Sequence, residues 1–313
     1  MKVSELLKNK IKDAVTISVE ITPPMRGHSI ETMFRLVDTI LPYKPLWIDI
    51  TSHAADIQWV PTEENQYEKK IHRKTPGTIA ICGALEYKFG IPTVPHLLCH
   101  GFCREETEDA LIDLSFLGIE NVLAIRGDGS AKEKRPGKSY HAHATDLVGQ
   151  IQAMNQGQFL ETKATPTQFE IGVACYPEKH FEAPNLEWDI DHFVQKQTLG
   201  ANYAITQMFF DNQKYFDFCQ KVAGKIKIPI IPATKILSSA EHLGKISKYF
   251  HVDLPKTLVD KLEQAKTEEK ALDVGVEWAY QQSLDLIQKG HRHLHFYVMK
   301  NTKPFCKLME RFG

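Results

Sequence analysis

The chain has 313 residues, 42% of them hydrophobic and 25% charged, with a formal net charge of −1. Such totals describe an ordinary globular protein whose length one α/β barrel can fill. Acids and bases are mixed along the chain, so no basic stripe exists to neutralise the phosphates of a nucleic acid, and no apolar run reaches bilayer length.

The N-terminal segment, residues 1–14, reads as an amphipathic charged helix without the continuous apolar core of a signal peptide, which predicts a cytoplasmic protein. Eight short apolar or β-branched runs follow, at residues 15–21, 46–51, 93–98, 121–125, 169–175, 203–210, 228–232 and 294–299. Most are continuous rather than alternating, as expected of parallel strands covered on both faces. Helical patterns lie between them, at residues 30–41, 105–118 and 189–200. The last two end on Gly118 and Gly200, the residue type that closes a helix in the left-handed conformation. Strand and helix alternate, and eight strands favour closure: the expected fold is a (β/α)₈ TIM barrel, a single domain spanning residues 1–313. The first strand runs into Thr22-Pro23-Pro24, not into a glycine-rich dinucleotide fingerprint, which lowers the Rossmann alternative. Residues 129–143 are the most loop-like. The six cysteines, Cys82, Cys99, Cys103, Cys175, Cys219 and Cys306, read as small buried apolar side chains rather than a disulfide framework.

Polar residues at the C-terminal ends of the strands are the candidates for chemistry. Glu20 interrupts an apolar strand, where desolvation would raise its pKa and make it a general acid near neutral pH; an ordinary strand-end ion pair would look the same. Arg126-Gly127-Asp128 closes the fourth strand, with a glycine that allows a ligand close to the backbone; a strand-to-loop turn uses the same residues. His96 sits in an apolar run, a pattern more often structural than functional. Its neighbours His100, Cys99 and Cys103 invite a metal site, but their spacing matches no strong zinc signature, and no metal is expected. Asp189, His192 and Lys196 share one helix face, as a solvated salt-bridge face also would. Gln207 is an amide among apolar neighbours and needs hydrogen-bond partners, either structural or on a ligand.

The stretch from Thr167 to Asp211, with Tyr176-Pro177-Glu178-Lys179-His180 followed by Asp189, His192, Lys196 and Gln207, resembles the flavin-dependent 5,10-methylenetetrahydrofolate reductases. The resemblance runs from Glu20 to Tyr297. It implies noncovalently bound FAD, with NADH or NADPH as co-substrate. Reduction of 5,10-methylenetetrahydrofolate to 5-methyltetrahydrofolate would then be a ping-pong hydride transfer through flavin N5, feeding methionine synthesis. It further implies that Glu20 is the acid that protonates the folate and that Asp128 lies by the flavin and tunes charge there. Thr51, His96, Arg126, Gly127, His143, Ala144, Tyr176 and His180 would contact the flavin. Asp189, His192 and Lys196 would reach its adenosine and pyrophosphate, and Gln207 and Tyr297 would bind the folate. Family members are often homo-oligomers.

Departures from the family pattern are Val19, Ile21 and Thr22 around Glu20, Ser52-His53 after Thr51, and His143 where an aromatic is frequent. After the seventh strand the sequence IPATKILSSA puts Ala240 at an aromatic stacking position, and Lys300-Asn301 replaces Asn-Arg. These leave open a flavin-binding relative or partner subunit with altered catalysis. A metal-dependent barrel hydrolase built on the His96 neighbourhood is the other alternative.

Overall fold

A computed structural model describes residues 1–9, 14–62, 66–127 and 137–313, the side chains of residues 56–58 and 71 excepted. Asp128 and most of the loop at residues 129–143 therefore lie outside the described residues.

The strands are β1 (Thr16–Ile21), β2 (Ile48–Ile50), β3 (Thr93–Leu98), β4 (Asn121–Ile125), β5 (Glu170–Cys175), β6 (Tyr203–Thr206), β7 (Ile230–Ile231 with Ala233–Thr234) and β8 (His293–Met299). All pair in parallel, in chain order, and β8 returns to β1. Proline has no N–H for a ladder, so Pro232 splits β7: Ile230–Ile231 pairs with β6 and Ala233–Thr234 with β8. The Ala233 N–H donates instead to Thr206 Oγ1 at 2.9 Å, and the Pro232 carbonyl accepts from the His295 N–H at 3.0 Å. These bonds carry the sheet across the break and close an eight-stranded barrel.

The expected (β/α)₈ fold is therefore observed, each strand falling within or next to its apolar run. Helices over Glu31–Ile40, Arg104–Phe116 and Leu186–Thr198 occupy the predicted helical stretches. Gly118 and Gly200 follow the last two at φ 74° and 119°, as helix-closing residues. One element was not expected. A hairpin, Asp56–Pro61 paired antiparallel with Tyr67–His72, projects after β2.

Alternation along the strands sorts side chains into two layers. Ile17, Val19, Ile21, Ile48, Ile50, Ile171 and Val173 face outward into one apolar core shared with the surrounding helices. The inward positions hold Trp47, Val94, Leu123, Tyr203, Ile205, Ile231 and Ala233. Val3 joins them from the N-terminal helix Val3–Asn9, which covers the N-terminal end of the barrel. Its free N–H groups are satisfied by the barrel floor: Val3 N donates to Asn121 Oδ1 and Ser4 N to Glu170 Oε1, both at 2.9 Å. A buried aliphatic side chain contributes about 1.5–3 kcal/mol, a hydrogen bond about 1 kcal/mol net. Stability thus comes chiefly from the outer layer, and the polar part of the barrel interior calls for another explanation.

Candidate active site

That polar part begins at the barrel's N-terminal end and climbs toward its mouth. Thr16, Ser18 and Glu20 alternate on β1, directly opposite His293, His295 and Tyr297 on β8. Thr16 Oγ1 lies 2.8 Å from His293 Nδ1, while Ser18 Oγ lies 3.0 Å from His293 Nε2 and 2.8 Å from His295 Nδ1. Trp47 stacks on His293, and its indole N–H donates to Asp49 Oδ2 at 2.7 Å. Asp49, register partner of Glu20 on β2, is wholly buried.

Glu20 stands at the top of this column. His96 on β3 lies between the two carboxylates, its Nε2 3.6 Å from Glu20 Oε2 and 3.6 Å from Asp49 Oδ1. Burial pulls His96 toward neutrality, but the nearby acids Asp49 and Glu20 more than offset it, leaving its pKa above the ordinary value. His295, 3.8 Å from Asp49 Oδ2, has no such double partner, and burial pushes it down to about 4. The two histidines differ because one has two acids and the other shares one.

Beside Glu20 the mouth is closed by Tyr297, whose hydroxyl donates to the Thr206 carbonyl at 2.7 Å. Lys235, just past β7, donates to the Tyr297 carbonyl at 3.1 Å. Burial lowers the Lys235 pKa, and the Glu20 charge opposes that shift. A cavity of about 420 Å³ opens here, lined by Thr22, His53, Lys235, His242, Tyr297 and Lys300 among others. Gln207 follows β6. Its amide oxygen accepts from the Met208 N–H at 2.9 Å.

A second cluster occupies the rim beyond β4 and β5. The Tyr176 and His180 rings meet edge to face at 4.8 Å, and the His180 N–H donates to Asp189 Oδ2 at 2.9 Å. Lys196 reaches in from the helix Leu186–Thr198 and donates to the Ala174 carbonyl at 2.9 Å. Burial lowers the Lys196 pKa and raises that of Asp189, and each one's charge opposes the other's shift. His180 is pushed down to about 4 by burial, then by the Lys196 and Arg126 charges. Arg126 pairs with Glu182, while its buried Nε has no hydrogen-bond partner among the described residues; neither has the buried Thr51 Oγ1. Gly127 takes φ 87°, open only to glycine without strain. His143 and Ala144 begin the helix Ala144–Asn155, and His143 lies 6.5 Å from His192, whose ring rests on Trp188.

The expected residues described here thus share the C-terminal end of the barrel, in two groups: an acid column ending at Glu20 and a cationic rim around Lys196. Asp49, Ser18, His295 and Lys235 were not anticipated. An acidic residue alone in the apolar run Trp47-Ile48-Asp49-Ile50-Thr51, two positions from each inward neighbour, was the available signal.

The rim has the chemistry of a site for a large, partly anionic, partly aromatic cofactor. It offers a buried ammonium whose described hydrogen bond goes only to a carbonyl, donors at Thr51 Oγ1 and Arg126 Nε with no partner among the described residues, and a glycine that lets a ligand approach the backbone. Among the described residues no group of His, Cys, Asp and Glu has the arrangement of a metal site, and no helix is long and apolar enough to cross a membrane.

Comparison with known proteins bears on this arrangement. A family model described as "Methylenetetrahydrofolate reductase" matches residues 3–313. Methylenetetrahydrofolate reductase 1 of Schizosaccharomyces pombe is 28% identical over 318 residues, covering 100% of this chain and 48% of that protein. The chain thus spans about half the length of that relative. The 5,10-methylenetetrahydrofolate reductases of Pectobacterium carotovorum and Escherichia coli K12 are 27% and 25% identical; each match covers 97% of this chain, and 92% and 93% of the relatives. Among solved structures, a Clostridium thermocellum protein described as binding two copies of 5-methyl-5,6,7,8-tetrahydrofolic acid superposes with a TM-score of 0.62. It is 14% identical and covers 99% of this chain and 98% of its own, a likeness of fold.

Proposed function

The chain belongs to the methylenetetrahydrofolate reductase family, and from that premise we propose that it is a flavoprotein reducing 5,10-methylenetetrahydrofolate to 5-methyltetrahydrofolate. NADH or NADPH would be the electron donor, and the two half-reactions would alternate at one site. The product would feed methionine synthesis. The observation that carries the reading is Glu20, a carboxyl group at the mouth of the barrel backed by His96, whose register neighbour Tyr297 lines a cavity.

FAD bound at the rim would supply the two-electron chemistry. By the family resemblance, Thr51, His96, Arg126, Gly127, His143, Ala144, Tyr176 and His180 would hold its ring system and linker. Asp189, His192 and Lys196 suit its adenosine and diphosphate, Lys196 because a desolvated ammonium gains most from an anion. Asp128, next to Gly127 in the chain, is assigned to the same group as a carboxylate that opposes negative charge on the ring and favours the cationic iminium of the substrate.

The protein's own part is to place the folate and move a proton. Glu20 donates a proton to the folate ring nitrogen as the five-membered ring opens. Tyr297, fixed through its hydroxyl, walls the folate position. Gln207 would donate its amide NH₂ to the pterin, its oxygen being engaged by the Met208 N–H.

The test is an anaerobic absorbance titration of the purified protein. Flavin bands that bleach with NADH or NADPH and return with methylenetetrahydrofolate are the expected result. Bands that bleach and never return would mean that catalysis is altered. A protein that neither carries nor takes up FAD would overturn the reading.

A further inference from the structure

Each turnover of the proposed reaction transfers one hydride and consumes one proton, so the acid must be reloaded. Glu20 is buried to within 8% of complete closure, and its register neighbours are Asp49 and Tyr297, not surface groups. Solvent is a poor immediate source once a substrate covers the mouth.

We propose, building on that function, that Asp49 is a positioning residue for the acid: it holds His96 as an imidazolium whose Nε2 proton reloads Glu20. The geometry is specific. His96 Nε2 is equidistant, at 3.6 Å, from Glu20 Oε2 and Asp49 Oδ1, and Asp49 Oδ1 has no hydrogen-bond partner among the described residues. The other Asp49 oxygen is anchored by the Trp47 indole N–H at 2.7 Å, so the carboxylate is fixed while its free oxygen aims at the histidine. A wholly buried carboxylate needs a cation beside it, and of its neighbours Glu20 and His96 only the imidazole can carry positive charge.

The remaining groups facing this cluster are consistent with that division. His295 approaches Asp49 Oδ2 at 3.8 Å and is held neutral by burial, Tyr203 and Tyr297 keep their phenol protons, and Lys235 adds its charge on the Glu20 side. The proton balance is simple. Glu20 gives its proton to the folate nitrogen and becomes a carboxylate; His96 Nε2–H passes a proton to Glu20 Oε2 and becomes neutral. The Asp49 carboxylate then favours recapture of a proton from water once product leaves.

The test uses Asp49→Asn in the full-length flavin-loaded protein, since the amide oxygen can still accept from Trp47. Histidine ¹⁵N resonances are followed against pH, with the His96 signal identified by its loss in His96→Gln. The expected result is an imidazolium at pH 7 in the parent protein and a neutral ring in Asp49→Asn. Folate-driven return of the flavin bands should then lose rate at a pH lower by roughly one unit or more, a shift of the size a nearby carboxylate produces. A His96 that is already neutral at pH 7 in the parent overturns the proposal. So does an unmoved pH profile, or an equal loss in the nicotinamide-driven and folate-driven steps, which would signal structural damage. Should Asp49→Asn not fold, the parent's ¹⁵N titration alone decides. Failure of the parent to bleach with either nicotinamide would count against the proposed function, separately from the state of His96.

Discussion

The Tyr203 ring lies where residue 172 would carry its side chain: a Cβ built on Gly172 falls 2.4 Å from Tyr203 Cζ and 2.6 Å from its hydroxyl oxygen. Gly172 on β5 faces Tyr203 on β6 in register, and that phenol fills the barrel interior. The glycine is there to admit the ring. Gly172→Ala is expected to lower the unfolding free energy by about 3 kcal/mol, the upper end of overpacking costs. Urea denaturation checks this. In Gly172→Ala/Tyr203→Ala the two penalties should sum to less than their separate values, because the collision is gone.

Glu20→Gln keeps shape and removes the transferable proton. The folate-driven return of the flavin bands should slow by about 10²-fold or more, the usual range for loss of a general acid. Nicotinamide-driven bleaching, which needs no acid at that position, should fall far less. Stopped-flow absorbance on each half-reaction separates the two. Equal losses would remove Glu20 from the role of acid.

Lys196 illustrates a conflict between holding a ligand and holding the fold. Its ammonium is desolvated, and its described hydrogen bond runs to the Ala174 carbonyl rather than to a carboxylate. Lys196→Met should leave the flavin-free protein as stable or more so, since an apolar side chain loses less on burial. FAD affinity should drop about 10- to 100-fold, matching the 1.5–3 kcal/mol of a charge-assisted contact. Fluorescence quenching of FAD, with thermal melts of the stripped protein, measures both. Unchanged affinity would place the diphosphate elsewhere.

Much of this fold was legible because burial on both faces makes parallel strands continuous in apolar character, as in Val122-Leu123-Ala124-Ile125. The run at residues 203–210 misled at its end: the strand stops at Thr206, and Met208 and Phe210 pack instead with Leu237 and Ile246 at the rim. Apolarity registers burial without saying what does the burying. The hairpin at Asp56–Pro61 and Tyr67–His72 escaped notice for the opposite reason, its second strand being mostly charged or polar. The site was readable where residues stand at strand ends. Asp49, Ser18 and His295 were missed because each lies inside a strand, where only the two-residue alternation with Glu20, Trp47 and Tyr297 shows that it turns inward. Lys235 lies in a stretch that departs from the family pattern, so no motif marks its place at the mouth.

The same interior column sets the pH dependence of stability from both sides. His295 is held near 4 by burial, against about 6.5 in an unfolded chain. The unfolded state therefore binds more protons between those values. The stability due to a neutral His295 is complete above about pH 6.5 and is lost as pH falls through 4, a change of up to about 3 kcal/mol. His96 acts in the other sense. Its folded pKa is raised, so its contribution is present below about pH 6.5 and is lost as pH rises through the folded value. Urea midpoints measured from pH 4 to 9 should form a dome. His295→Gln should flatten the acid limb and His96→Gln the alkaline one. An acid limb unchanged in His295→Gln would mean that the imidazole is not buried in its neutral form, and that Ser18 and Asp49 hold a cation there instead.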